Sequence, residues 1–387
     1  MVYNIAIDAR KLSDFGIGTY IHNLVSSLGE IDTENQYVLF VGQQSTTELD
    51  ELPENFRVVI ERSPSYSIRE LIALSWRLFR LRLDLYHSTH YVLPAVVPCR
   101  AVVTIHDIIH LLYPEFLPSP LAFFYAQRMI RRSLSRGDRI IAVSQNTKTD
   151  LMDYFKVDGR KIRVVYSGVT DRFRERLSPS QIDTWLQEYE IQQPYLLFVG
   201  NPKPHKNLDN VIKAFARALE IYNFQGELVC VGDREGMELK IRHRAEQMGV
   251  GDRIRLIGHV PDAALPALYQ GATLFLFPTL YEGFGLPVVE AMASGVAVIT
   301  SNTSALKEIA EGYSQQVNPL DVDEMAKAIA QCMADSDHRQ ALVKLGLRRA
   351  EDFRWTRTAQ QTLEVYLSAL QAPAQRTARP GKREGAA

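Results

Sequence analysis

The sequence predicts an α/β protein made of two doubly wound domains, with a last amphipathic helix that must pack against one of them. Three observations carry this. The chain has 387 residues, long for one core and comfortable for two. Short β-branched runs alternate with helical stretches from end to end, the mark of mostly parallel sheets. The runs fall into two series, separated by a segment from Ser178 to Pro194 that holds two prolines and several glutamines.

The first series runs through Asn4 to Asp8, Tyr37 to Val41, Arg57 to Ile60, Ala101 to His106, Arg139 to Val143 and Arg163 to Tyr166. A helix over Tyr20 to Leu28 follows the first run. The second series holds Tyr195 to Gly200, Glu227 to Val231, Arg253 to Ile257, Thr273 to Phe277 and Val296 to Thr300. Trp355, Ala359, Leu363, Tyr366 and Leu370 then recur at helical spacing, and a Pro-, Arg- and Gly-bearing tail closes the chain. The expected units are 1–191, 192–352, the helix 353–371 and a flexible tail 372–387, with the linker near Gln192.

Composition removes several classes. Hydrophobic residues make up 46% and the formal net charge is -1, so neither disorder nor nucleic-acid binding is indicated. Cys99, Cys230 and Cys332 are odd in number and widely spaced, which argues against a disulfide framework or a structural zinc. Met1 leads almost directly into the first strand, and no apolar run reaches membrane-spanning length. A cytoplasmic enzyme is expected. The stretch Ile68 to Arg82 mixes arginines with large apolar side chains, as interfacial helices do, so peripheral contact with the inner membrane face is a candidate partnership.

The chemistry concentrates in two loops of the second half. Gly200-Asn201-Pro202-Lys203-Pro204-His205-Lys206-Asn207 follows a buried strand and precedes a helical pattern starting at Leu208. With Asn207 as N-cap, Lys206 stands at a helix N-terminus, where dipole, free amides and ammonium together suit a phosphate or diphosphate. Local sequence leaves a plain surface lysine equally open. The second loop, Tyr281-Glu282-Gly283-Phe284-Gly285-Leu286-Pro287-Val288-Val289-Glu290, follows the strand ending at Phe277. Pro287 suits the first helical position and Gly295 the C-terminal cap. Glu282 and Glu290 then approach one pocket at the carboxyl end of the sheet, where open α/β sheets bind ligands.

The Glu282-x7-Glu290 arrangement around Gly283-Phe284-Gly285-Leu286-Pro287 resembles the signature of the family 4 retaining glycosyltransferases. Further matches follow in the family's order: Gly16-Ile17-Gly18-Thr19-Tyr20, Thr104-Ile105-His106-Asp107, Ala142-Val143-Ser144, Tyr166-Ser167-Gly168-Val169, the Gly200 to Asn207 loop, and Gly258-His259-Val260-Pro261-Asp262. The resemblance implies the GT-B architecture: two Rossmann-like domains facing across a cleft, the last helix returning to the N-terminal one. It implies a nucleotide diphosphate sugar as donor substrate, a glycan or lipid-linked acceptor, and neither a metal nor another cofactor. Lys206 would bind the diphosphate, Glu290 the ribose, and Glu282 with the amides of Phe284, Gly285 and Leu286 the transferred sugar and phosphate. His106 would reach the donor sugar from the N-terminal side, Val260 the nucleobase through its backbone, and Gly16 and Gly18 the donor phosphate. Many relatives carry an arginine near the lysine where this chain has Asn201 and His205. Either Lys203 and His205 compensate, or binding leans on Lys206.

Ile7-Asp8-Ala9-Arg10, the Gly16 to Tyr20 run and Lys206-Asn207 resemble the mannosyl- and rhamnosyltransferase branch, which makes GDP-mannose the expected donor. A sugar-nucleotide 2-epimerase of similar fold and a catalytically silent sugar-nucleotide binder are the alternatives. The Gly16-x-Gly18 pair lacks a third glycine, so a nicotinamide cofactor is rejected. Asp321-Val322-Asp323 looks like a metal-binding D-x-D, but Asp321 precedes a helix with Glu324 three positions on, and a capping arrangement explains it. His87, His90 and His110 lie near strand ends of the first half and receive no assigned role.

Overall fold

The computed structural model describes residues 1–42, 52–62, 68–117, 119–222, 225–232 and 238–372. The first unit runs β1 (Asn4–Asp8), α1 (Phe15–Ile31), β2 (Gln36–Gly42), β3 (Phe56–Glu61), α2 (Ile68–Leu81), β4 (Leu85–Ser88), β5 (Arg100–Ile105), α3 (Ile109–Leu112), α4 (Pro120–Arg136), β6 (Arg139–Ala142), α5 (Gln145–Phe155) and β7 (Ile162–Val164). Its strands form one parallel sheet in the order β3-β2-β1-β4-β5-β6-β7. After α6 (Pro179–Glu188) come β8 (Tyr195–Val199), α7 (Leu208–Tyr222), β9 (Glu227–Val231), α8 (Glu238–Gln247), β10 (Ile254–Ile257), α9 (Leu265–Gly271), β11 (Leu274–Phe277), α10 (Leu286–Ser294), β12 (Ala297–Ser301), α11 (Ser304–Ala310), β13 (Gln315–Val317), α12 (Val322–Ala334), α13 (Ser336–Ala350) and α14 (Trp355–Gln371). The second sheet is also parallel, ordered β10-β9-β8-β11-β12-β13.

Alternation along the strands sorts the first unit into layers. Ile5 and Ile7 of β1 face a core shared with Leu24 and Leu28 of α1 and with Trp355, Ala359, Tyr366 and Ala369 of α14. Ala6, Val38 and Phe40 face the opposite core, filled by Leu74 and Leu78 of α2 and Ala126, Ile130 and Leu134 of α4. The last helix therefore completes the N-terminal unit, as expected of it. Its Tyr366 hydroxyl lies 2.6 Å from His87 Nδ1, whose Nε2 lies 2.7 Å from Thr104 Oγ1. Those two partners explain how β4, absent from the expected strands, places a histidine in the middle of a sheet: its polar atoms are satisfied inside the core. Burial holds the His87 imidazole neutral, at a pKa of about 3.

We propose the division 1–191, 192–352 and 353–371, with one refinement from packing. Phe173, Leu186 and Ile191 join the second core and α6 packs on α9, which draws the first boundary back toward 171–178. The expected tail lies, beyond residue 372, outside the described residues. The start of α1 differs from expectation for a local reason. α1 begins at Phe15 rather than Tyr20, so Gly16 and Gly18 sit within its first turn; a Cβ on Gly18 would stand 1.9 Å from the Leu12 carbonyl oxygen, so only glycine lets the helix start there. Asp321 caps α12 as expected, accepting from Glu324 N at 2.9 Å, while Asp323 pairs with Arg217 at 3.2 Å.

Candidate active site

Two loops leave the carboxyl ends of the adjacent strands β8 and β11 and are laced together before any side chain reaches the cleft. Leu280 N donates to the His205 carbonyl at 2.8 Å. Asn207 Nδ2 donates to the carbonyls of Pro278 at 2.9 Å and Pro319 at 2.6 Å. This corrects the expected cap: Asn207 adopts a left-handed conformation (φ 61°), and its amide ties strand-end loops together instead of capping α7. Asn tolerates that conformation better than most residues. The lacing brings Lys206 Nζ within 2.7 Å of Glu282 Oε1, with the ammonium 5.2 Å from the centre of the Phe277 ring. The side chains of Lys206 and Glu282 are only 18% and 12% exposed, so solvent screening of the pair is weak.

His205 lies half-buried beside Lys206. Burial, reinforced by Lys206 and Lys203, depresses its pKa to about 3, so it is a neutral imidazole at physiological pH. Lys203 itself is exposed.

The second loop turns into α10 as its composition requires. Gly285 stands at the N-cap with φ 102°, Pro287 lies in the first turn, and Gly295 closes the helix in the left-handed conformation. Phe284 is buried against Tyr166 and Phe353, which leaves backbone rather than side chain at the turn. Opposite lies the first unit. A Cβ on Gly283 would stand 2.0 Å from the His106 carbonyl oxygen, and one on Gly16 would be 3.9 Å from Leu286 Cδ1. His106 Nε2 lies 2.9 Å from the Thr89 carbonyl, its ring edge-on to Tyr20 at 4.9 Å. Burial lowers its pKa, partly offset by that carbonyl, so the ring is neutral.

Glu290 lies one turn into α10 with a separate set of neighbours. Tyr269 on α9 donates its hydroxyl to Oε2 at 3.0 Å, and Arg172 and Asp262, themselves ion-paired, stand nearby. Burial raises the Glu290 carboxyl to about 7 against the opposing pull of Tyr269 and Arg172. Val260 is buried in the loop that follows β10, two residues before Asp262. The structure thus groups Lys206, Glu282, Gly283 and His106 at one end, and Glu290 with the Asp262 segment at the other. Tyr269 and Arg172 were not legible in the sequence because their partners are 21 or more residues away and neither belongs to a motif.

Of His87, His90 and His110, the first is core. His90 is 4% exposed, its Nδ1 4.0 Å from Asp8 Oδ2. Burial alone would raise Asp8, but the Arg10 guanidinium, bonded to both its oxygens, holds that carboxyl far below the usual range. His110 is exposed on α3.

Two family models cover most of the chain: residues 16–173 match Glycosyltransferase Family 4 and residues 181–349 match Glycosyl transferases group 1. The chain belongs to the family 4 glycosyltransferases. This glycosyltransferase is 28% identical over 370 residues to O-antigen chain mannosyltransferase B of Escherichia coli, covering 91% of this chain and 95% of that one. It is 29% identical to the serotype-specific mannosyltransferase WbdA of E. coli, but spans only 36% of that protein's length. Among solved structures, Anabaena HepE in complex with UDP and glucose superposes with a TM-score of 0.77 at 20% identity, covering 95% of this chain and all of that one. That likeness establishes the GT-B fold, with its two sheets facing across the cleft.

Proposed function

We propose that this glycosyltransferase is a retaining hexosyltransferase that moves mannose from GDP-mannose to a glycan or lipid-linked glycan. The observation that carries the reading is the Lys206–Glu282 pair, which joins the loops from β8 and β11 at 2.7 Å directly opposite the first unit. The names of the relatives at 28–29% identity support mannose as the sugar. A diphosphate entering this turn takes over the Lys206 ammonium and frees the Glu282 carboxylate for the sugar hydroxyls. The bond from the anomeric carbon to the diphosphate oxygen breaks, the acceptor hydroxyl bonds to the same face, and its proton passes to the departing diphosphate. No protein nucleophile is required. Lys206 stabilises the charge that grows on the leaving group, and the amides of Phe284, Gly285 and Leu286 lie at the same turn. Closure of the two units over the cleft excludes water that would otherwise hydrolyse the donor.

The test is a thermal-shift screen of nucleotide sugars followed by transfer assays. Stabilisation by GDP and GDP-mannose is expected; stabilisation by UDP-glucose or UDP-N-acetylglucosamine alone would remove GDP-mannose as donor.

Glu290, one turn into α10, is the proposed ribose ligand, and its titration gives a pH prediction. Ribose hydroxyls donate to a carboxylate, so binding favours the ionised form of a group titrating near 7. Nucleotide affinity should therefore rise as pH increases from 6 to 8, by up to about tenfold, and level off above. Calorimetric titration with GDP at both values checks this, and a Glu290→Gln variant should show a flat profile.

The membrane is the proposed second partner. No helix among the described residues is long and apolar enough to cross a bilayer. Ile72, Trp76 and Phe79 of α2 are each more than half exposed, as are Leu121 and Phe124 of α4, and both helices cover the same face of the first sheet. Exposed Arg80, Arg82, Arg128, Arg131 and Arg136 accompany them, and α4 carries no acidic residue. Apolar side chains set among arginines complement an anionic lipid surface. Sedimentation with phosphatidylglycerol vesicles at low salt should carry the protein down, and a Trp76→Ser, Phe124→Ser double variant should stay in solution.

A further inference from the structure

Helix α5 belongs to the first unit, yet its first two turns touch the second unit at three places. Ser144 caps it, Oγ accepting from Thr147 N at 3.0 Å. The amides of Gln145 and Asn146 donate one each to the two carboxylate oxygens of Glu308 on α11, both at 2.8 Å. Thr147 Oγ1 lies 3.1 Å from the His106 carbonyl and 3.3 Å from the Gly283 carbonyl. Asp150, one turn further, accepts from the Tyr281 hydroxyl at 2.5 Å. Tyr281 and Gly283 are the chain neighbours of Glu282 on either side. The amide of Glu282 itself donates at 3.1 Å to Ser304 Oγ, at the start of the helix that carries Glu308.

Three of these contacts flank Glu282, through Gly283, Tyr281 and its own amide. We propose that Glu308 is a positioning residue for sugar transfer: its carboxylate clamps α11 to the N-terminus of α5, and α5 in turn sets the place of Glu282 in the cleft. The inference rests on the reading that Glu282 addresses the transferred sugar. A carboxylate on two helix N-terminal amides makes two charge-assisted bonds aligned with the helix dipole, and neither a glutamine nor an alanine reproduces both. The clamp joins the two units, so it acts where the cleft must be closed. Nucleotide binding at the Glu290 end involves none of its members.

The experiment compares wild type with Glu308→Gln and Glu308→Ala in transfer, GDP binding and hydrogen–deuterium exchange of the full chain. The kcat should fall about tenfold in the glutamine variant and about a hundredfold in the alanine variant, the cost of misplacing a reacting group by about 1 Å. The Kd for GDP should rise by far less than kcat falls, a split that a general loss of structure would not give. Exchange should quicken across 144–148 and 281–285 in both variants. Unchanged exchange at 281–285, or Kd rising in step with the fall in kcat, overturns the clamp. The exchange result decides this whether or not GDP-mannose is the donor, whereas a wild-type protein that transfers no hexose refutes the functional reading instead.

Discussion

Replacing Lys206 by Met is expected to lower kcat by about two to three orders of magnitude, the usual cost of removing one preorganised charge-stabilising group, or about 3–4 kcal/mol. The physical ground is local. His205 is neutral and Lys203 is exposed, so on the proposed reading the departing diphosphate would meet most of its counter-charge in Lys206. The ammonium is largely buried beside the Phe277 ring, where its interaction with a phosphate is screened less than in bulk water. The variant should bind GDP more weakly as well, because Lys206 meets the diphosphate in the ground state too. Glu282→Gln should also slow turnover while leaving GDP affinity close to wild type, since its proposed partner is the sugar. Initial-rate kinetics and GDP titration of both variants check the pair. Near-normal turnover by Lys206→Met would refute the role assigned to the lysine.

Gly283→Ala should reduce kcat by about a hundredfold without unfolding the protein. A methyl group at this position would stand 2.0 Å from the His106 carbonyl oxygen and 2.9 Å from Asp107 Cβ, both fixed at the end of β5. Neither neighbour is the far end of a flexible side chain, so the loop must back away from the first unit. Glu282 moves with it, and a shift of about 1 Å at a reacting centre costs about two orders of magnitude. The second core does not depend on this contact, so cooperative thermal unfolding should persist. Transfer assays read together with a melting curve distinguish a displaced loop from a lost fold.

What was legible in the sequence is what local chemistry dictates. Pro287 and Gly295 bracket α10 because a missing amide and a missing Cβ have fixed uses at helix ends, and the strand cores announce themselves by composition. The start of α1 was set too late because glycines weaken helix propensity, whereas here Gly18 is what allows the turn to pass Leu12. Asn207 was read as a cap because Asn before an apolar periodic run usually is one; its amide instead serves two carbonyls 71 and 112 residues away. β4 is not legible because a histidine and a serine in four residues look like loop until the partners of His87 are known. The same distance in sequence hid Tyr269 beside Glu290, Asp150 under Tyr281 and Glu308 on α5. The loops proposed to carry the chemistry are visible in the sequence; the side chains that hold them in register are not.

In the proposed reaction a hexose is transferred with retained configuration, its leaving group met by Lys206 rather than by a metal ion. Proton NMR of wild-type enzyme incubated with GDP-α-mannose, a glycan acceptor and excess EDTA tests this most directly. The expected spectrum shows GDP released in step with a new α-mannoside anomeric signal. A β-mannoside signal, or transfer that appears only when magnesium or manganese is restored, would contradict it.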